Sequence, residues 1–548
     1  IFLTLFDKST NEQMVIKEAP VAQNRFFIDF VSRTETMFTE FENDYIFEGF
    51  GNYHNLNELL QALGSGKKNI IYCNSIDDTI NFALDFSKCV QYKKDTRIDD
   101  VIKLIQQYLH KDYYLIDCLK KGVAFHFGKL PQRIRECIEE LFEEKVIDYI
   151  FCTSTLLEGV NLPAQNIFIL NNTIGTRKFT DIDFWNLAGR AGRLSKELSG
   201  NIICVRLDSS KWKTKEDDIK IIREKVIHDV SPTILKGEEN FYKNIENSLT
   251  GKPFTRAKPT QSQIETWNHY ANIVYYQEIA KADSLLKSNF MKKNHKTAKK
   301  VLSTIEKNNQ IPDYILEQST SIKPIYQNNI WKSLQDTESA FSDEITYASC
   351  YEMLEKMYKI YHWDSEEAIG RNPLIRNKEQ LKYYTHLMYD WISSKPLNMI
   401  IINMISYHKR VGYIWHGYEK VYFDSKNKEH INWVINNLIS DIDSRLRYRI
   451  KNYFSNYFLL VSNKNGIEVA GKDWSQYLEY GTTDKTIIDL QNIGLSRHVA
   501  MIIKENYEDV LVYDDQELAN IDFKMLFQII DKQKFKHEYN ELIAMFED

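Results

Sequence analysis

Ile150-Phe151-Cys152-Thr153-Ser154-Thr155-Leu156-Leu157-Glu158-Gly159-Val160-Asn161-Leu162-Pro163-Ala164, followed closely by Asn166-Ile167-Phe168-Ile169-Leu170, is the stretch that decides the fold. Two short apolar runs of strand length flank a loop with three consecutive hydroxyls, a glycine and a proline. Asp181-Ile182-Asp183-Phe184-Trp185-Asn186-Leu187-Ala188-Gly189-Arg190-Ala191-Gly192-Arg193 comes next and ends on two arginines three residues apart. Uninterrupted apolar strands of this kind belong to a parallel sheet covered on both faces. In such a sheet the functional loops lie at the carboxyl ends of the strands, where the hydroxyl run falls.

The same pattern extends on both sides. Lys68–Cys73, Gly122–Phe125, Asp148–Cys152 and Gly200–Val205 read as further strands. Asn74 and Ser75 can cap a helix that begins near Asp77. Pro131 sits where a first helical turn tolerates it, ahead of Ile134, Ile138, Leu141 and Phe142 at helical spacing. Upstream, residues 1–6 and 25–30 read as two strands joined through Pro20. Alternation of strand with helix predicts an α/β domain over residues 56–208.

Thr153 to Ala164 and Asn186 to Arg193 resemble motifs V and VI of the second motor domain of superfamily 2 helicases, in the branch shared by superkiller-like and archaeal repair helicases. Tyr72-Cys73-Asn74-Ser75 resembles motif IV, and Phe125-His126-Phe127-Gly128-Lys129-Leu130 a neighbouring histidine-bearing stretch whose second histidine is Phe127 here. Asn186 stands where the family often has Gln. The wording from Asp183 to Arg193 also looks like bacterial defence helicases, including the helicase of the Hachiman anti-phage system. The resemblance covers about residues 68–207 and implies a RecA-like parallel-sheet motor domain followed by mainly helical accessory domains.

It also implies roles. Arg190 and Arg193 would be arginine fingers, reaching ATP and Mg²⁺ held by a first motor domain; such a finger contributes about 10³–10⁵ in rate. Gly159, Asn161, Asn186 and Gly189 would line the nucleotide side. Asn74, Ser75, His126, Thr153, Ser154 and Thr155 would meet nucleic-acid phosphates through hydroxyls, amides and backbone N–H groups. Other readings of the same residues stand beside these: a basic helix end for the arginines, capping for the hydroxyls and a structural place for His126. Gly64-Ser65-Gly66-Lys67-Lys68 lacks the Ser or Thr that follows the lysine of a phosphate loop, and it precedes a strand. Asp343-Glu344 lacks the setting of a metal-binding carboxylate box. The expectation is that the nucleotide-holding first motor domain lies outside this sequence, of which residues 1–55 would be its tail and a linker.

After about residue 208 helical periodicity takes over. The expected divisions are a linker and winged-helix-like or helical region over 209–340, a helical bundle over 341–475 and a C-terminal helical domain over 476–548. Arg445 lies in a long helix that would contact the strand. Leu490-Gln491-Asn492-Ile493-Gly494-Leu495 resembles one helix-hairpin-helix turn, in which Gly494 would let backbone N–H groups approach a DNA phosphate. Lys292 to Lys300 is a basic run that reads more readily as a solvated face than as a phosphate track.

Composition bounds the function. The 548 residues are 43% hydrophobic and 27% charged, with a formal net charge of −6, so nucleic acid would have to meet a local basic surface. Seven cysteines show no zinc spacing, no metal site is expected, and a reduced cytoplasmic protein fits. The longest apolar run, Leu397 to Tyr407, is too short to span a bilayer. The expected function is the C-terminal half of an ATP-dependent 3′–5′ DNA helicase or translocase in anti-phage defence or repair; the defence resemblance implies a partner nuclease. A superkiller-type RNA helicase and a non-catalytic nucleic-acid-binding scaffold are the alternatives.

Overall fold

The computed structural model describes residues 22–38, 45–47, 49–157, 162–175, 177–191, 199–213, 216–223, 234, 239–294, 297–368, 373–416, 419–514 and 517–546. The chain divides into two compact units. The first comprises Ile1–Val230 with Ile405–Ile439, and the second Ser231–Met404 with Ser440–Asp548.

An eight-stranded sheet organises the first unit. Its strands are β1 (Ala22–Asp29), β2 (Thr34–Phe38), β3 (Tyr45–Ile46), β4 (Asn69–Tyr72), β5 (Val123–His126), β6 (Tyr149–Cys152), β7 (Asn166–Ile169) and β10 (Ser199–Arg206). The spatial order is β3-β2-β1-β10-β7-β4-β6-β5. From β1 to β5 all neighbours run parallel; β2 and β3 add an antiparallel edge that the sequence pattern had not indicated. Every residue of β4, β5, β6 and β7 is buried, as helices on both faces of a parallel sheet require.

The helices of this unit are α1 (Leu56–Gly64), α2 (Ile76–Cys89), α3 (Thr96–Tyr108), α4 (Tyr114–Leu119), α5 (Gln132–Glu143), α6 (Asp181–Ala188) and α7 (Glu216–Arg223). Ser75 caps α2, its hydroxyl accepting from the Asp78 N–H at 3.0 Å. Pro131 precedes α5 at φ −50°, and Ile134, Ile138, Leu141 and Phe142 form the buried stripe the spacing predicts. The Lys67-Lys68 loop has a structural task. Lys68 is buried, donates to the Glu143 carbonyl at 3.1 Å and lies over the Phe142 ring, closing the end of α5.

Residues 405–439 return to this unit from far along the chain. The helix Lys428–Ser440 is pinned to the start of α4. There Asn432 accepts from the Tyr114 N–H and donates to the Asp112 carbonyl, and the Tyr113 hydroxyl donates to Asn436. The sequence pattern had placed this segment inside a bundle over 341–475.

The second unit is built mostly from helices. One core gathers Tyr242, Ile245, Trp267, Val274, Phe290 and Leu302, and another, near the C-terminus, gathers Leu490, Val499, Leu526 and Leu542. The described residues of 209–340 form helices only. Asp441–Ile450 is a π-helix that runs on into the α-helix Lys451–Asn465. Such wide turns are rare and concentrate at functional sites.

Candidate nucleic-acid and nucleotide interface

The residues expected to contact nucleic acid converge on the carboxyl ends of β4, β5 and β6 because parallel neighbours stop in register. Tyr72 pairs with Cys152, and His126 with Cys152 from the other side. Past the strand ends the ladder continues for one step: the Cys73 N–H donates to the Cys152 carbonyl at 2.7 Å and the Thr153 N–H to the His126 carbonyl at 3.3 Å. Asn74, His126 and Thr153 therefore lie along one sheet edge.

Beyond Thr153 the chain tightens into a 3₁₀ turn, Ser154–Leu157. The Thr153 and Thr155 hydroxyls lie 3.2 Å apart and hydrogen-bond, and all three hydroxyl residues are half-buried. Gly128, in the loop after β5, makes room for this turn. A Cβ at Gly128 would sit 2.6 Å from the Thr155 methyl. Glu158 to Asn161, including the Gly159 and Asn161 expected on the nucleotide side, lie outside the described residues.

Two of the expected contacts have intramolecular partners. Asn74 donates to the Gly175 carbonyl at 2.8 Å, holding the turn between the two-residue strands β8 (Thr173–Ile174) and β9 (Arg177–Lys178). The Tyr72 hydroxyl holds the same arm through the Thr173 carbonyl. His126 is fully buried, and its Nε2 meets Glu139 of α5 at 2.8 Å.

The arginine-bearing segment is built with equal economy. Thr180 and Asp183 form a capping box at the start of α6, and Arg177 of the β8–β9 arm grips Asp183 through both terminal nitrogens, at 2.6 and 3.2 Å. Burial raises the Asp183 carboxyl, but the bonds from Arg177 and Thr180 outweigh it and leave the pKa at about 2. Gln23 of β1 closes the other end by donating to the Ala188 and Ala191 carbonyls. The Ala164 N–H donates to the Arg190 carbonyl at 3.2 Å, so the segment after the hydroxyl loop is stitched to the arginine segment.

Asn186 and Gly189 are exposed on this segment. Arg190 is only 8% exposed, so its own chain covers it; the three-residue spacing predicts an outward course for both arginines. Burial pushes the Cys152 thiol up, and the Arg190 guanidinium pulls it partly back. Gly192 and Arg193 lie outside the described residues. Among the described residues no three His, Cys, Asp or Glu side chains are grouped to hold a metal ion. No described helix is long and apolar enough to cross a membrane.

Two expected sites lie in the second unit. Arg445, in the π-helix, is ion-paired with Asp441 at 2.8 Å and donates to the Tyr384 hydroxyl at 3.0 Å. Gly494, at φ +106°, turns the chain between helices Lys485–Asn492 and Arg497–Asn506. Its N–H donates to the Gln491 carbonyl, while the N–H and hydroxyl of Ser496 both donate to the Glu541 carboxylate, at 2.8 and 3.0 Å. A carboxylate of the C-terminal helix Lys536–Phe546 thus sits at this helix start. Glu541 was not singled out from sequence, since nothing local marks a residue 45 positions away.

Sheet order, hydroxyl loop and arginine segment together define a RecA-like motor domain, and residues 51–195 match the helicase conserved C-terminal domain. Residues 51–195 are thus a helicase C-terminal domain, and the pattern fits the C-terminal half of superfamily 2 helicases. The chain is similar to anti-bacteriophage protein B of Escherichia coli, at 33% identity over 101 residues, or 18% of this chain and 14% of that protein. It is also similar to Hachiman protein HamB of Bacillus cereus, at 34% over 110 residues, covering 20% of this chain and 10% of the relative. The ATP-dependent DNA helicase Hel308 of Methanococcus vannielii matches at 30% over 134 residues, covering 23% and 18%. The match thus spans less than a fifth of each relative.

Proposed function

We propose that this chain is the second motor lobe and accessory region of an ATP-driven 3′–5′ DNA helicase or translocase that acts in anti-phage defence or DNA repair. The observation that carries the reading is the stitching of the segment after the hydroxyl loop to the arginine segment: the Ala164 N–H donates to the Arg190 carbonyl, and Ala164 forms a parallel bridge with Ala191. A nucleotide-sensing arginine segment coupled to a strand-contacting loop is what a motor needs to convert phosphoryl transfer into movement. ATP with Mg²⁺, held by a first motor lobe, supplies the phosphoryl group.

Division of labour follows from burial. Arg193 is the finger that stabilises the charge developing on the transferred phosphoryl, and Arg190 relays its position to β6 from inside the domain. Asn186 and Gly189, exposed on the same segment, together with Gly159 and Asn161, complete the nucleotide side. Thr153, Ser154 and Thr155 hold a backbone phosphate of the strand. Asn74 and Ser75 position that edge, through the β8–β9 arm and the start of α2. DNA is favoured over RNA by the DNA helicase among the relatives, and defence by the anti-phage and Hachiman proteins; a partner nuclease would fit the latter role.

The test is Arg193→Ala in the complete protein, assayed for DNA-stimulated ATP hydrolysis. The expected loss is about 10³-fold or more. Undiminished turnover overturns the motor reading and leaves a nucleic-acid-binding scaffold.

A further inference from the structure

Nothing in the motor motifs accounts for the hairpin formed by β11 (Tyr413–His416) and β12 (Glu419–Tyr422), which belongs to the first unit although it lies more than 200 residues downstream of the arginine segment. Its register sets Tyr413 opposite Tyr422 and Trp415 opposite Lys420. Side chains alternate across a strand, so these four share one face of the hairpin. Ile414 and Val421, also paired, share the other, where Ile414 is 1% exposed.

The four-residue face is arranged as a platform. The Lys420 ammonium lies 3.6 Å from the Tyr413 ring centroid, and the Tyr413 and Trp415 rings meet edge to face at 6.4 Å. Tyr422 is 76% exposed, a large aromatic surface left in water. Lys409 and Arg410, exposed at the end of the helix Leu397–Val411, lead into the hairpin. Over residues 407–422 three Lys or Arg residues face a single acid, Glu419, in a chain whose formal net charge is −6.

The platform is also held firm. An isolated two-stranded hairpin is marginal in water. Here Phe423, only 3% exposed, anchors the exit of β12, and its N–H donates to the Gly412 carbonyl at the entry to β11. His408 bonds the Tyr413 carbonyl through Nδ1 at 3.0 Å, and Lys428 of the following helix pairs with Asp117 of α4. A largely exposed tyrosine beside two half-exposed aromatics, on a held and locally basic surface, suits sequence-tolerant single-strand binding, because every base offers a stacking face and every nucleotide a phosphate.

We propose that Tyr413, Trp415, Lys420 and Tyr422 form a second contact for single-stranded DNA, with bases stacked on the aromatic face and the backbone neutralised by Lys420, Lys409 and Arg410. The proposal rests on the motor reading and assigns that motor a strand contact outside the conserved motifs. It is tested by fluorescence anisotropy of a labelled oligothymidylate with the full chain, across a series of salt concentrations. Tyr422→Ala is expected to weaken binding about 5- to 100-fold, the range for loss of one stacked base. Tyr422→Phe, which keeps the ring, should restore most of the affinity. Lys420→Ala should lower the slope of log K against log salt by about 0.7. Because Tyr422 and Lys420 are exposed, unchanged circular dichroism melts would separate these effects from unfolding. If the parent chain binds the oligonucleotide and all three variants match it in affinity and salt slope, the hairpin proposal is overturned and the motor reading stands. If the parent chain fails to bind any single strand, both fall together.

Discussion

Two turns in this protein depend on glycine, and they use the space differently. At Gly128 the missing side chain admits Thr155, so a crowded loop presses the hydroxyl turn of the motor unit into place. At Gly494 the missing side chain admits Met545, 2.6 Å from where a Cβ would sit, and one helical turn earlier Glu541 bonds Ser496. The first glycine thus serves a turn in which the Thr153 and Thr155 hydroxyls bond each other at 3.2 Å. The second lies under the protein's own C-terminal helix, with the Glu541 carboxylate close by at Ser496. A glycine turn marks room for a close approach, and only the fold decides what approaches.

The largest effect that would break this comparison is at Gly494. Gly494→Ala forces an alanine to φ +106° and displaces only the flexible Met545 methyl, so the expected cost is about 1–3 kcal/mol, mostly backbone strain. A drop in the denaturation midpoint of the second unit would register it. Met545→Ala made in the same chain should recover only the steric part, because the backbone strain stays. Full recovery would show that φ at Gly494 carries no cost.

Gly128→Ala sharpens the other half. Thr155 is short and β-branched, so it cannot swing a flexible tip aside, and the 3₁₀ turn itself must shift. Stability should fall by about 1–2 kcal/mol. DNA-stimulated ATP turnover should fall about tenfold or more, in line with misplacement of a positioning group by about 1 Å. Retained turnover with reduced stability would leave Thr155 as a packing residue. Glu541→Gln is expected to have a smaller effect. It removes the charge at the terminal turn while keeping an acceptor for Ser496, and should tighten duplex DNA binding about two- to fivefold at low salt. No change would leave the Gly494 turn a purely structural hairpin.

How much of this was legible beforehand follows from where the determinants lie. The buried strands β4, β5, β6, β7 and β10 announce themselves as apolar runs, and Ser75 and Pro131 mark helix starts by local chemistry. The antiparallel β2–β3 edge does not, because short half-exposed strands carry no apolar run. Residues 405–439 have helix and hairpin patterns in plain view, yet their return to the motor unit rests on Asn432 and Asn436 finding partners on α4, some 320 positions away. In the site, the convergence of Asn74, His126 and Thr153 follows from parallel strands ending in register. The burial of Arg190 does not, since a spacing of three residues fixes a shared helical edge without fixing which way that edge faces.

The smallest expected effect concerns the clasp between the β8–β9 arm and α6. Asp183 has a folded pKa of about 2, against 3.8 for an ordinary aspartate, because Arg177 and Thr180 hold it ionised despite its burial. A depressed carboxyl stabilises the folded state fully above the unfolded pKa, and that contribution is lost as pH falls from about 4 through about 2. Arg177 is more than half exposed, so solvent screening trims the contribution to about 1 kcal/mol. Asp183→Asn should therefore lower stability by about that amount at pH 7, and most of the difference from the parent chain should be gone by pH 2. A gap that persists unchanged at pH 2 would mean that the capping geometry at Thr180, rather than the Asp183 charge, holds the start of the arginine-bearing helix.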